Sequence, residues 1–180
     1  IVRESAMDRF ESLGFPTVAN EEWKYTNLAG LAKDTFRPSE APSAITTADL
    51  SRFSFPETAN SQVVLVNGLF RQDLSSTSEL DSIVAVDLFS AIADARYNKI
   101  VRSYLARNAN YHDKSMTALN TAFLQSGVFI LIPKDTKLEA PVQISFVVDP
   151  SEPNIAVFPR VLVVAEENSS VKLIESFVAL

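Results

Sequence analysis

The 180-residue sequence has no cysteine. That excludes disulfides, thiol catalysis, Cys-ligated zinc and any iron-sulfur cluster held by thiolates of this segment. Imidazole is almost as scarce. The single histidine, His112, stands in a polar loop with no second His or spaced carboxylate near it, and it reads as a solvated side chain. The four glycines, Gly14, Gly30, Gly68 and Gly127, are too far apart to form a G-x-G-x-x-G or G-x-x-x-x-G-K phosphate loop, so nothing points to nucleotide binding. No serine occupies a G-x-S-x-G elbow. Long apolar runs are missing too: Val128 to Ile132 and Val161 to Ala165 fall far short of the roughly 20 residues that span a bilayer. The opening IVRESAMDRF lacks the basic-then-apolar order of a signal peptide, so neither targeting nor a membrane anchor is expected. Positive charge is in deficit, with 16 Lys and Arg against 22 Asp and Glu. A net charge of −6 argues against a general nucleic-acid surface, which needs concentrated cations to displace phosphate counterions.

At 47% hydrophobic, the chain can build one sizeable core. Val2, Ala6, Phe10 and Leu13 recur at helical spacing, and Gly14 and Pro16 supply a stop. Asn20 before Glu21 and Glu22 resembles a second helix start leading into Trp23, Lys24, Tyr25, Thr26 and Leu28. Trp23 and Tyr25 are the candidate anchors, either packing a helical hairpin against a sheet or contacting a partner. Pro38 to Ser61 turns to Ser, Thr, Ala and Pro, and reads as a surface linker with a single turn at Thr47 to Phe53. Gln62 to Asn67 is a strand, and Asn67-Gly68 before Leu69 and Phe70 predicts a β-hairpin near 62–72. Ile83 to Val86 is strand-like. Asp87 then caps a helix carrying Leu88, Phe89, Ile92, Ile100, Val101, Tyr104 and Leu105, with a break near Tyr97.

At Met116 the pattern changes. Met116, Leu119, Ala122 and Phe123 form one helix face, with Gly127 as its expected C-terminal cap, and no further helix follows. Strands are predicted at Val128 to Ile132, Val142 to Val148, Val161 to Ala165 and Val171 to Val178, separated by turns rich in Pro, Asp and Asn. VFILI and RVLVV are apolar at successive positions, which calls for cover on both faces and favours a β-solenoid over a β-sandwich. The predicted fold is α+β: a mostly helical N-terminal subdomain over 1–115, then over 116–180 a capping helix and the first coils of a truncated β-helix.

The acids of this half, Asp135, Glu139, Asp149, Glu152, Glu166 and Glu167, fall mainly at turns rather than together on one rung, so no acid/base pair emerges. No catalytic, metal or cofactor-binding residue is predicted, and the chain is read as non-enzymatic. The alternative is a carbohydrate-binding or carbohydrate-active β-solenoid or β-sandwich module. That would need aromatics in an exposed row, whereas Phe129, Phe146, Phe158 and Phe177 read mainly as core stackers.

Five segments in order, GFP at Gly14 to Pro16, E-x-W-K-Y-T-x-L at Glu21 to Leu28, V-N-G-x-F at Val66 to Phe70, ALNTAF at Ala118 to Phe123 and PRVLVVAEENSSVKLIESFV from Pro159, resemble the SufB/SufD family of iron-sulfur cluster assembly scaffolds. ALNTAF and W-K-Y-T favour its SufD branch. The resemblance implies that the β-helix is right-handed and parallel. It also implies a non-catalytic scaffold within a SufBCD complex, partnered by a SufB-like paralogue and a SufC-like ATPase, with a homodimer through the β-helix also open. The cluster and ATP would then belong to partner subunits or to residues beyond 180, with no cofactor bound by this segment. His112 matches no family site. The implied location is the cytoplasm, or a plastid if the source is a plant or alga, with no nucleic acid and no membrane involved.

Overall fold

A strand that is apolar at every position is stable only if both of its faces are covered, and VFILI is covered on both. In the computed structural model, which describes residues 2–39, 43–78, 80–151 and 153–180, it is the middle of three layers. Among the described residues the strands are β1 (Arg37–Pro38), β2 (Gln62–Val66), β3 (Leu69–Phe70), β4 (Val84–Asp87), β5 (Val128–Ile132), β6 (Val142–Val148), β7 (Ile155–Ala156), β8 (Val161–Ala165) and β9 (Leu173–Ala179). The helices are α1 (Val2–Leu13), α2 (Thr47–Leu50), α3 (Leu88–Ala93), α4 (Asn98–Tyr104) and α5 (Ser115–Ala122).

The strands form three open sheets, β3-β2-β6-β9, β4-β5-β8 and the short pair β1-β7. In the first, β2, β6 and β9 run parallel; in the second, β5 and β8 do. The chain therefore leaves β5 for the first sheet at β6, returns to the second at β8, and crosses again to β9. Val128 comes to lie beside Val161, and Val142 beside Leu173. Between the two larger sheets sits a core of Val63, Leu65, Val128, Ile130, Ile132, Val142 and Ile144. The alternate residues Phe129 and Leu131, with Leu162, pack outward against Leu88, Ala91 and Val101 of α3 and α4. On the far side Val64, Val66 and Val147 pack against Ile45, Leu50 and Leu74. The fold is thus mixed α+β, as expected.

Local chemistry sets several boundaries. Asp87 caps α3 by accepting a hydrogen bond from the Ser90 amide at 2.7 Å. The long helix expected from Leu88 breaks into α3 and α4 around Asp94 to Tyr97. The β2–β3 hairpin turns at Asn67 and Gly68, whose φ values of 49° and 85° are the left-handed pair that such a turn needs. Further on, two turns stack across successive strands: the Asn168 side chain donates to Asp135 at 2.7 Å, and both residues are left-handed, at 58° and 61°.

Four expectations are corrected. No full helix follows Asn20; only a single 3-10 turn, Glu21–Trp23, forms there, and the Asn20 carboxamide serves the Thr17 amide instead of capping it. Gly127 lies beyond the end of α5, which closes at Phe123. Its lack of a side chain has another cause, since a Cβ there would collide with the Arg160 carbonyl, the group that accepts from the Val128 amide. The segment read as a linker is no bare crossing. Ile45, Leu50, Thr58 and Ser61 are buried, and this stretch roofs the outer face of β2 and β6 (residues 40–42 lie outside the described residues). Finally, β1 and β7 pair in parallel with no sequence signal for either.

That roof is held by a buried polar residue. Gln143, with no exposed surface, accepts from the Thr58 hydroxyl at 2.6 Å and the Phe55 amide at 3.3 Å, and donates to the Phe53 carbonyl at 2.9 Å and the Ser176 hydroxyl at 3.2 Å. Every polar atom of its carboxamide is satisfied. Gln143→Met, of similar length but apolar, strands these partners and should lower the unfolding free energy by about 2–4 kcal/mol. Urea titration followed by circular dichroism measures it, and Ser176→Ala, which removes one bond only, should cost less than about 1 kcal/mol.

Candidate functional site

Three of the five motifs converge on the seam where helices meet strands, and a fourth ties the two helices of that seam together. In ALNTAF, Asn120 donates from its amide nitrogen to the Pro159 carbonyl at 3.2 Å. Its oxygen accepts from the Arg160 guanidinium at 2.6 Å, and Thr121 accepts from the same nitrogen at 3.0 Å. Among the described residues Arg160 has only these neutral acceptors, and burial pulls its pKa below the ordinary arginine value. The motif at Pro159 and the motif at Ala118 are therefore one physical unit. Phe123 and Phe158 stack beside it with centroids 4.7 Å apart. The V-N-G motif joins nearby strands: the Asn67 oxygen accepts from the Asp149 amide at 2.8 Å. In G-F-P, Gly14 is left-handed, accepts from the Ser115 hydroxyl and so ties the end of α1 to the start of α5. The helices themselves pack through the buried alanines Ala6 and Ala118.

The fifth motif behaves differently. Tyr25 is 92% exposed, so it is no packing anchor within this segment. Trp23 is half-buried and lines a hollow of about 400 Å³ with Leu13, Pro16, Glu22 and Met116. Its Lys24 neighbour lies 5.7 Å from the Tyr25 ring centroid. His112 is exposed and rests against Tyr111, with ring centroids 4.3 Å apart.

No catalytic constellation assembles among the described residues. Among the described residues no group of three or more His, Asp or Glu side chains is placed to hold a metal ion. The turn acids take structural partners: Asp149 accepts from Ser43 at 2.6 Å, Glu167 pairs with Lys134 at 2.7 Å, and the Glu166 carboxylate accepts from the Lys134 amide. Glu152 lies outside the described residues. No helix among the described residues is long and apolar enough to cross a membrane.

The face of β9 that carries Leu173 and Phe177 is left open among the described residues. Leu173, Glu175 and Phe177 project on the side where Val142, Ile144 and Phe146 bury themselves in β6, and their partners across the register are those same residues. Phe177 stacks on Phe146 at 4.6 Å but remains 73% exposed, against the expectation of a core stacker. Phe129 is fully buried and Phe158 half-buried, so the four phenylalanines named for a glycan form no exposed row.

The family model described as the SufBD protein N-terminal region matches residues 1–144. The chain belongs to the SufBD family. An iron-sulfur cluster assembly SufBD family protein of Synechocystis is 33% identical over 180 residues, covering 99% of this chain and 39% of the relative. The iron-sulfur cluster assembly protein SufD of Bacillus subtilis is 25% identical over 184 residues, covering 99% of the chain and 41% of that protein. A chloroplastic SufBD family protein of Arabidopsis thaliana is 34% identical over 94 residues, 51% of the chain and 16% of the relative. This SufBD segment thus spans about two fifths of the length of the first two relatives.

Arg160 escaped the sequence reading because an arginine before a strand looks like a solvated surface charge; the Asn120 contact that buries it bridges 40 residues. Two experiments check the seam and the anchors. Asn120→Ala leaves the Arg160 guanidinium short of acceptors and should cost about 1–3 kcal/mol, and Gly127→Ala should cost a similar about 1–3 kcal/mol by overpacking. Gly30→Ala, with open space around it, serves as the neutral control. Tyr25→Ala should leave the unfolding free energy within about 0.5 kcal/mol, whereas Trp23→Ala, half-buried, should cost about 1–2 kcal/mol. Both are read by chemical denaturation.

Proposed function

We propose that this SufBD segment is the N-terminal part of a SufD-type, non-catalytic scaffold subunit, whose strands begin a right-handed parallel β-helix. The observation that carries this reading is the in-register parallel stacking of β5 on β8 and of β6 on β9, with the free edge of β9 and its open apolar face awaiting a further coil. The greater length of the relatives supports it. So does the placement of polar chemistry, since Asp135, Asp149, Glu166, Glu167 and Arg160 serve the frame. In this role the subunit works with a SufB-like paralogue and a SufC-like ATPase in a SufBCD complex. The nascent iron-sulfur cluster is cargo carried elsewhere in the assembly, because a segment without cysteine can hold partners in register but lacks the usual ligands. A homodimer through the same sheet edge is the other pairing that such an edge allows. The location that fits is the cytoplasm or, as for the relative named chloroplastic, a plastid.

The full-length parent should co-purify with SufB-like and SufC-like subunits of the same source, and the complex should accumulate cluster in a reconstitution assay. Absence of that complex would sink the assignment. The coil reading has its own check. Phe177→Asp in the full-length protein should cost about 3 kcal/mol or more if a further coil buries the ring; a loss under about 0.5 kcal/mol would show the face to be solvated and rule that coil out.

A further inference from the structure

The charge of this acidic chain is unevenly laid out. Residues 95 to 112 contain Arg96, Lys99, Arg102 and Arg107 with His112 and no Asp or Glu, within a chain of net charge −6. One of these cations is already used: Arg96 grips Asp94 at 2.6 Å and holds that carboxyl down to about 2. Lys99, Arg102 and Arg107 are exposed and have no acidic partner among the described residues. Ile100 and Val101 bury the inner side of α4 in the core, which leaves Lys99 and Arg102, three apart, to share the outer side.

Backbone geometry then brings a second guanidinium to the same place. Ala106 is left-handed, at φ 60°, a conformation that alanine rarely adopts. It turns the chain straight after α4, so that Arg107 and Arg102 line one hollow of about 650 Å³. Val2, Leu105, Ala106 and Ala109 give that hollow an apolar part, while His112 and Tyr111 border it. The loop is pinned from outside: the Arg9 guanidinium of α1 donates to the His112 carbonyl, and Asn110 bonds both Asp113 and the His112 amide. Asp113, the first acid after Asp94, is thereby engaged with Asn110 at 3.1 Å.

We infer that this hollow is a docking site for an acidic segment of a partner protein, its carboxylates taken by Arg102 and Arg107 and its apolar side chains by the Leu105 to Ala109 floor. Charge complementarity carries the choice of occupant. Two unpaired guanidinium groups suit carboxylates, the apolar lining suits a polypeptide, and the surrounding negative chain repels a long polyanion such as nucleic acid. The site lies on the α4 side of the molecule and does not depend on the β-helix reading, so either can fail alone.

The test uses the full-length protein and a dye-labelled ten-residue peptide of four Glu interspersed with Leu and Ala as probe, followed by fluorescence anisotropy at low ionic strength. Saturable binding that weakens as salt rises to about 0.15 M is expected. Affinity should fall about tenfold or more in Arg102→Glu/Arg107→Glu and stay unchanged in Lys137→Glu/Lys172→Glu, which makes the same charge change on exposed lysines of the strand turns. Far-ultraviolet dichroism confirms folding of each variant. Absence of peptide binding, equal loss in both double variants, or tighter binding of an oligothymidylate of matched charge would each overturn the proposal.

Discussion

Everything in this structure leans on β6 being paired in parallel along both edges. With β2 on one side and β9 on the other, Val142 to Val148 has its backbone groups taken up by neighbours, and each face meets a separate apolar layer. Remove that strand and β2 and β9 lose their common partner. It explains why the inner and outer residues of β5 are both apolar, and why Gln143, buried on the outer face of β6, needs four hydrogen bonds. A half-covered sheet would have alternated. β9 does alternate, with Leu173, Glu175 and Phe177 outward and Ile174, Ser176 and Val178 more protected.

The helices contribute position as much as burial. α3 and α4 seal the outer face of β5 and β8, with Tyr97 set against Phe129 at 5.7 Å. α1 and α5 form a separate pair whose link to the strands is polar and local, at Asn120 with Pro159 and Arg160. A half-buried guanidinium held by neutral acceptors is a costly way to join two elements, but a directional one: it fixes α5 over the turn before β8 in a way that packing of aliphatic side chains would not.

Sequence periodicity revealed β2, β5, β6, β8 and most of β9, together with α1, α5, the Asp87 cap and the Asn67-Gly68 turn, because each rests on local chemistry that residues a few positions apart express. It failed where the deciding partner was distant. The segment before β2 looked like a linker since its apolar residues are few, and only the face it covers shows that Ile45 and Leu50 suffice. Gly127 fitted a helix cap by position, yet its constraint comes from Arg160. Tyr25, which its sequence neighbours left open between packing and a partner contact, is solvated. β1 and β7, two residues each, carry no pattern long enough to detect. The seam formed by Asn120 and Arg160 was visible only as two family motifs, with nothing in either to say that they touch. The family resemblance, spread over five segments, was more legible than any single side chain.

The pairing of β2 with β6 has a kinetic side. The Ser61 hydroxyl reaches the Pro141 carbonyl across 80 residues of chain, whereas the stacked turns at Asp135 and Asn168 are 33 apart. Loop closure over the longer span costs more entropy before any contact repays it. The later strands can therefore find one another first, as a short-range unit, and β2 arrives as a late guest that completes a sheet already laid down.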